Sequence, residues 1–244
     1  MKKYFLLITL ILCFNKINAQ EEDIGWVSRF GIAVGFNPAY VFPDLSDINT
    51  QIKKMGIDEL SNSGLILWGG SGYAYIMMIE DFRIGAIGLS GSTSTSGTVG
   101  EFEKEVKYNF GLGGLTFEYT LPFIKNVAVS LGAIVGYGSS SIEIYQSSSD
   151  YSWENVWSKV NDGIVMTRDV SDILKQSYLL FTPTINCDIP LTRFFSFRIG
   201  GGYNLTFNRS WKVNNNKSIS GMPSGLNSNS FFIQTGIYFG FFAY

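Results

Sequence analysis

Phe195-Ser-Phe-Arg-Ile-Gly-Gly-Gly-Tyr-Asn-Leu-Thr-Phe-Asn208 alternates without a break. One face carries Phe195, Phe197, Ile199, Gly201, Tyr203, Leu205 and Phe207. The other carries Ser196, Arg198, Gly200, Gly202, Asn204, Thr206 and Asn208. Side chains of a strand point to opposite faces in turn, so period-2 alternation of apolar and polar residues marks a half-buried strand. The run is longer than the roughly 9–11 residues that a tilted strand needs to cross a bilayer.

The same pattern recurs along the chain. Arg29 to Tyr40 sets Phe30, Ile32, Val34 and Phe36 against Gly31, Ala33, Gly35 and Asn37. Val127 to Ser140 and Tyr178 to Ile189 alternate likewise, with Ile134 as an exception in the first. Leu65 to Met77 and Phe82 to Ser90 are less regular, and Phe231 to Phe241 is the last run. Tyr108 to Leu121 alternates in two registers that change at Gly113-Gly114. An extra residue flips every later side chain, so a β-bulge is expected there.

The links between these runs alternate in length. Ile79 to Asp81, Pro122 to Asn126 and Pro190 to Thr192 are short. Val41 to Gly64, Gly91 to Glu105, Ser141 to Gln176 and Arg209 to Asn229 are long and polar. Short periplasmic turns, long external loops and an even number of antiparallel strands are the layout of an outer-membrane barrel. The expected fold is therefore all-β, an eight-stranded antiparallel transmembrane β-barrel. Two loops are expected to hold local helix, at Asp47 to Met55, with Gly56 as its stop, and at Trp153 to Val160.

A soluble barrel must carry charge on its outer face. Here the polar face is Gly, Ser, Thr and Asn, and the whole chain is only 16% charged but 16% aromatic, with 27 glycines. Small polar residues suit a narrow lumen, and aromatic residues suit a lipid-facing girdle.

The N-terminus agrees with export. Lys2 and Lys3 precede the short apolar run Tyr4 to Phe14, and Ala19 is a small residue before Gln20. That is a secretory signal peptide over residues 1–19, leaving a barrel domain at 20–244. Cys13 opens a lipoprotein alternative, weakened because Leu12 precedes it. Removing residues 1–19 takes away Lys2, Lys3 and Lys16, so 15 basic residues face 20 acidic ones, a net of −5. An acidic chain does not suit a nucleic-acid partner. The remaining cysteine, Cys187, cannot form an intrachain disulfide.

The terminal run Phe231-Phe-Ile-Gln-Thr-Gly-Ile-Tyr-Phe-Gly-Phe-Phe-Ala-Tyr244 resembles the C-terminal signal of outer-membrane barrels. That signal ends in an aromatic residue and is read by the barrel-insertion machinery. Counting back from Tyr244 in twos gives Phe242, Gly240, Tyr238 and Gly236. The more apolar set is Phe241, Phe239, Ile237, Ile233 and Phe231. The mature chain resembles the small porin-like outer-membrane barrels, including those of Bacteroidetes-type bacteria. The resemblance implies a location in the bacterial outer membrane, among outer-membrane lipid, and says little about activity.

Five charges fall on the polar faces: Arg29, Arg83, Glu118, Asp188 and Arg198. All lie near a short turn or the start of the barrel, so they are expected in the periplasmic half of the lumen. Arg83 and Glu118 fall on neighbouring strands, and Asp188 faces Arg198 across a hairpin. A buried carboxylate needs a partner and an arginine fork supplies paired donors, so a lumen-blocking salt-bridge network is expected. Solvated charges at the rim are the alternative.

No histidine is present, which removes Ser-His-Asp and His-metal sites. The remaining acids, Glu101, Glu103, Glu105, Asp169 and Asp172, sit in polar links and read as solvated loop charge. No cofactor or metal is implied. Tyr151, Trp153 and Trp157 cluster in the longest link and form the candidate recognition loop. The leading function is a non-enzymatic outer-membrane barrel with a structural, adhesion or assembly role and an envelope protein partner. Porin-like passage of small solutes or apolar ligands is the alternative, and an outer-membrane enzyme without a histidine-based site is more distant.

Overall fold

Each strand pairs with both of its neighbours until the ring closes. The computed structural model describes residues 30–124, 127–148, 152–154, 157, 169–223, 225–226 and 228–243. The signal segment 1–19, Arg29, Tyr151 and Tyr244 lie outside them. The strands are β1 (Phe30–Phe36), β2 (Ala39–Phe42), β3 (Leu65–Tyr75), β4 (Phe82–Val99), β5 (Phe102–Thr120) and β6 (Ala128–Ser147). They continue as β7 (Val170–Pro190), β8 (Phe195–Val213), the two-residue β9 (Lys217–Ser218) and β10 (Ser230–Ala243). One helix, α1 (Ser46–Met55), follows β2.

β1 and β2 are one stave. Phe36 stands opposite Ile237 and Ala39 opposite Gln234, the same register against β10. They also share one register against β3, with Phe36 opposite Gly70 and Ala39 opposite Leu67. Asn37 and Pro38 interrupt them, and Pro38 has no N–H to give. Its carbonyl still accepts from Thr235 N at 3.0 Å. With β9 a mere hairpin tip on β8, the ring has eight antiparallel staves, closed where β10 pairs with β8 on one side and β1 on the other.

The outward side chains of the lower barrel are large and apolar. Ile32, Val34, Trp68, Leu131, Tyr137, Ile185, Ile237 and Phe239 are all exposed. On β10 the apolar set faces out and Tyr238 and Phe242 face in, with regular pairing to β1 through Phe30 opposite Ala243. The strand does not fray over these residues. A closed antiparallel barrel with a lipid-facing belt is the architecture of the bacterial outer membrane.

The expected bulge at Gly113-Gly114 is absent. β5 stays in unbroken register with β4, from Phe82 opposite Tyr119 to Val99 opposite Phe102, and with β6. What changes is the surroundings. Below Gly113 the outward residues are Leu115, Phe117 and Tyr119, and Thr116, Glu118 and Thr120 are buried. Above it Lys107 and Asn109 face out, and Val106, Tyr108, Phe110 and Leu112 are buried. β6 makes the same exchange, from outward Val135 and Tyr137 below to buried Ile142 above. The lower barrel is apolar outside and polar inside, and the upper barrel is the reverse.

A register shift does occur elsewhere. Leu179 stands opposite Phe207 but Ser177 opposite Ser210, so β8 carries one extra residue beside Asn208, whose φ is 52°. The shift turns Trp211 inward, where it packs against the upper core.

The strands also run further than the sequence suggests. Gly91 to Glu105 is a hairpin rather than a long loop, turning at Gly100-Glu101 with Gly100 at φ 65°. β6 reaches Ser147 and β7 starts at Val170, which shortens the third link. The external end thus stands clear of the belt as a sheet of long strands. Helix α1 fills its concave side. Ile48 and Ile52 are buried with Leu45, Leu60, Val106 and Phe110 in one apolar cluster. Buried Asn49 donates from Nδ2 to Leu60 O at 2.9 Å and accepts from Leu60 N at 2.9 Å, which ties the helix to the following loop. Gly56 ends the helix at φ 80° in the left-handed conformation favoured at that position.

Two outcomes are expected. Nitroxide labels at Leu131→Cys and Tyr137→Cys should relax with dissolved oxygen, and labels at Ser141→Cys and Lys107→Cys with a water-soluble nickel chelate. A lipid-like profile at Ser141 would refute the inverted upper half. Phe110→Ala should cost about 3–5 kcal/mol of unfolding free energy, as for a soluble core, measured by urea unfolding in lipid.

Candidate functional site

Four buried charges occupy the lower lumen. Arg83 on β4, Glu118 on β5, Asp188 on β7 and Arg198 on β8 all point inward, each no more than 4% exposed. Register brings them together, because Arg83 stands opposite Glu118 and Asp188 opposite Arg198. Arg83 Nε donates to Glu118 Oε2 at 2.5 Å, and Arg198 Nη1 and Nη2 donate to the two Glu118 oxygens at 3.1 and 3.2 Å. Arg198 Nε and Nη2 reach the two Asp188 oxygens at 2.5 and 2.8 Å. Arg83 Nη1 closes the ring at 2.6 Å from Asp188 Oδ2, close in distance but off the hydrogen-bond line. Each arginine touches both carboxylates, and the net charge of the four is zero.

Neighbouring strands complete the shell. Arg83 Nη2 donates to Ser130 Oγ at 2.8 Å from β6. Asn186 Nδ2 donates to Glu118 Oε1 at 3.0 Å, and Gln234 Nε2 on β10 donates to Asn186 Oδ1 at 2.7 Å. Tyr73 lies beneath both guanidiniums, 4.5 Å from Arg83 and 5.1 Å from Arg198, and Tyr238 lies 4.7 Å from Arg198. Stacking on rings is a role for which the planar arginine is better suited than lysine. The Tyr238 hydroxyl is fixed by Asn37 Nδ2 at 2.9 Å and by Ser71 Oγ. The remaining void beside the ring is about 10 Å³, at the lower limit for one water molecule.

Four of the five charges expected from sequence therefore meet in one ring, and Arg29 lies outside the described residues. Nothing in the sequence marks Tyr73, Asn186 and Gln234 as members of the site. The alternation does put them on the inward faces, but no single strand's sequence says which inward residues meet across the lumen. Above the ring lies the apolar cluster capped by α1.

The candidate recognition loop keeps only part of its cluster in view. Trp153 and Trp157 stack edge to face at 5.7 Å and are 76% and 50% exposed. Tyr151 lies outside the described residues. The loop acids are dispersed. Glu103 and Glu105 are on β5 near the hairpin tip, Asp169 accepts from Ser148 N at 3.0 Å, and Asp172 accepts from Asn214 Nδ2 at 2.8 Å. Among the described residues no group of three His, Cys, Asp or Glu could hold a metal ion.

No protein-family model and no curated protein sequence matches the chain. Solved structures similar to it include Ail, the attachment invasion locus protein of Yersinia pestis, in complex with the heparin analogue sucrose octasulfate. That likeness has 11% identity, covers 88% of this chain and 99% of that one, and has a TM-score of 0.43. A major outer membrane protein from Thermus thermophilus matches at 8% identity over 86% and 99%, TM-score 0.47. The outer membrane protein OprG from Pseudomonas aeruginosa matches at 10% over 88% and 98%, TM-score 0.43.

Removing one member of the ring leaves the other three with an unbalanced buried charge. Arg198→Met should destabilise the barrel by about 3–5 kcal/mol. Pairing it with Asp188→Leu should recover a large part of that loss, because the buried charge leaves with its partner. Urea unfolding in lipid checks both, and a double variant less stable than the single one would refute the coupling.

Proposed function

We propose that the protein is a closed, non-enzymatic surface barrel whose function resides in its extracellular half. The ring of Arg83, Glu118, Asp188 and Arg198 carries this reading. It fills a lumen that, with eight staves, is just wide enough for side chains. A solute would have to separate four interlocked charges in a nearly dry interior and then pass the apolar core under α1. This favours a recognition, adhesion or assembly role over solute passage. The exposed pair of Trp153 and Trp157 supports the reading, because rigid aromatic side chains dominate recognition surfaces. The partner expected on that surface is another envelope or external protein.

Planar-bilayer recording of the full chain tests the sealed lumen. Stable open-channel conductance should be absent from the intact protein. A steady large conductance in the intact protein would overturn the reading. Trp153→Ala with Trp157→Ala should leave the heat-modifiable gel mobility of the folded barrel unchanged and reduce attachment of the bacteria to immobilised envelope or host-surface protein several-fold. Unchanged attachment would remove this loop from the proposal.

A further inference from the structure

Just above the lipid belt two lysines face outward side by side. On β7 the outward residues rise from Leu179 through Ser177 to Lys175. On β8 they rise from Phe207, past the shifted residue, through Ser210 to Lys212. Ser177 stands opposite Ser210 and Lys175 opposite Lys212, and both lysines are exposed. Like charges directly opposite on neighbouring strands repel. Among the described residues neither ammonium has an ion-pair partner. The acids nearby, Glu143 and Asp172, accept hydrogen bonds instead from Asn109, Tyr145 and Asn214. Neither forms an ion pair with the lysines, so the two ammoniums stand together without a bound counter-charge.

Its height is informative. Each lysine is the second outward residue beyond the last apolar one, Leu179 or Phe207. At about 3.3 Å per residue and a tilt of 35–45°, that is roughly 10 Å above the top of the belt. The headgroup layer adds roughly 5–8 Å to each side of the hydrocarbon, and a lysine stem can lean down into it. A groove of about 510 Å³ reaches the same place across the outer faces of β4 to β7, floored by Ser90, Gly111, Ser139, Ser141 and Ser177 and ending at Lys175. Short hydroxyl side chains there leave room for a bulky polar group and offer donors to it.

We propose that Lys175 and Lys212, with the serine-floored groove beside them, bind the phosphate-bearing headgroup of an outer-leaflet lipid. The bound phosphate supplies the missing counter-charge, and the lipid's apolar part lies along the belt below Leu179 and Phe207. This site is on the outer wall and is independent of the sealed lumen.

The test uses the full chain in nanodiscs of zwitterionic lipid, titrated with diphosphoryl lipid A and read by native mass spectrometry. The intact protein should hold the probe. Lys175→Gln with Lys212→Gln should weaken binding about thirtyfold. Lys53→Gln, on the exposed end of α1, should leave it unchanged. Lipid A stripped of its phosphates should bind the intact protein no better than the phosphorylated form binds the double variant. Both lysines are exposed, and heat-modifiable gel mobility verifies that the variant is folded. Equal affinity of the double variant, equal loss with Lys53→Gln, or equal binding of the stripped lipid would overturn the proposal. Full competition by inorganic phosphate would assign a free-anion site instead and would overturn the lipid assignment.

Discussion

Every backbone N–H and C=O inside a bilayer must find a partner within the protein, since hydrocarbon offers none. Closure of the ladder between β10 and β1 meets that demand, and the rest of this molecule follows from it. A closed ring of eight staves fixes a narrow interior. Side chains must fill that interior, and strand alternation hands the inward places to whatever the lipid-facing pattern leaves over. In the lower barrel the leftover set is polar, so the filling must be polar and fully paired. The four-charge ring is one solution. Each carboxylate there meets two guanidiniums, and the outer shell of Ser130, Asn186 and Tyr73 satisfies or stacks on what remains.

Beyond the belt the solvent changes from lipid to water while the strands continue. A strand that leaves the bilayer must then exchange its faces, apolar to the inside and polar to the outside. There are two ways to do it. On β5 the sequence exchanges parity at Gly113-Gly114 and the backbone runs straight on. On β8 the apolar residues Phe207 and Trp211 keep the same parity across the boundary, so the backbone has to supply the exchange. The extra residue beside Asn208 does that, turning Trp211 into the core and Lys212 to the surface. A parity change in sequence therefore has two meanings, a bulge in one solvent or a straight strand between two.

That ambiguity explains what the sequence disclosed. The lower strands were legible because lipid imposes a strong apolar face, as in Phe195 to Phe207. The charges were legible because Arg83, Glu118, Asp188 and Arg198 interrupt otherwise small, uncharged inward faces near short turns. The parity change at Gly113 is ambiguous in sequence because one strand's pattern does not reveal its solvent. Gly91 to Val99 reads as loop because its outward residues are serine and threonine, while inward Gly97 lies against Ile57 and inward Thr95 donates to Asp58 O. Strand there depends on pairing with β5, a non-local fact. The stacking of Tyr73 on two arginines from β4 and β8 is likewise a property of the closed ring, invisible in any one strand.

The two fillings of the barrel work by opposite means, and neither is a simple variant of the other. The lower filling holds because separating its charges in a low-dielectric interior leaves each one unpaired, which costs several kcal/mol per ion. The upper filling packs Ile48, Ile52, Phe110 and Leu67 together, beside a small buried hydrogen-bonded group of Ser140, Gln176 and Ser228. Outside both fillings lie the exposed features: Trp153 with Trp157 in the third link, and Lys175 with Lys212, which strand alternation turns outward above the belt.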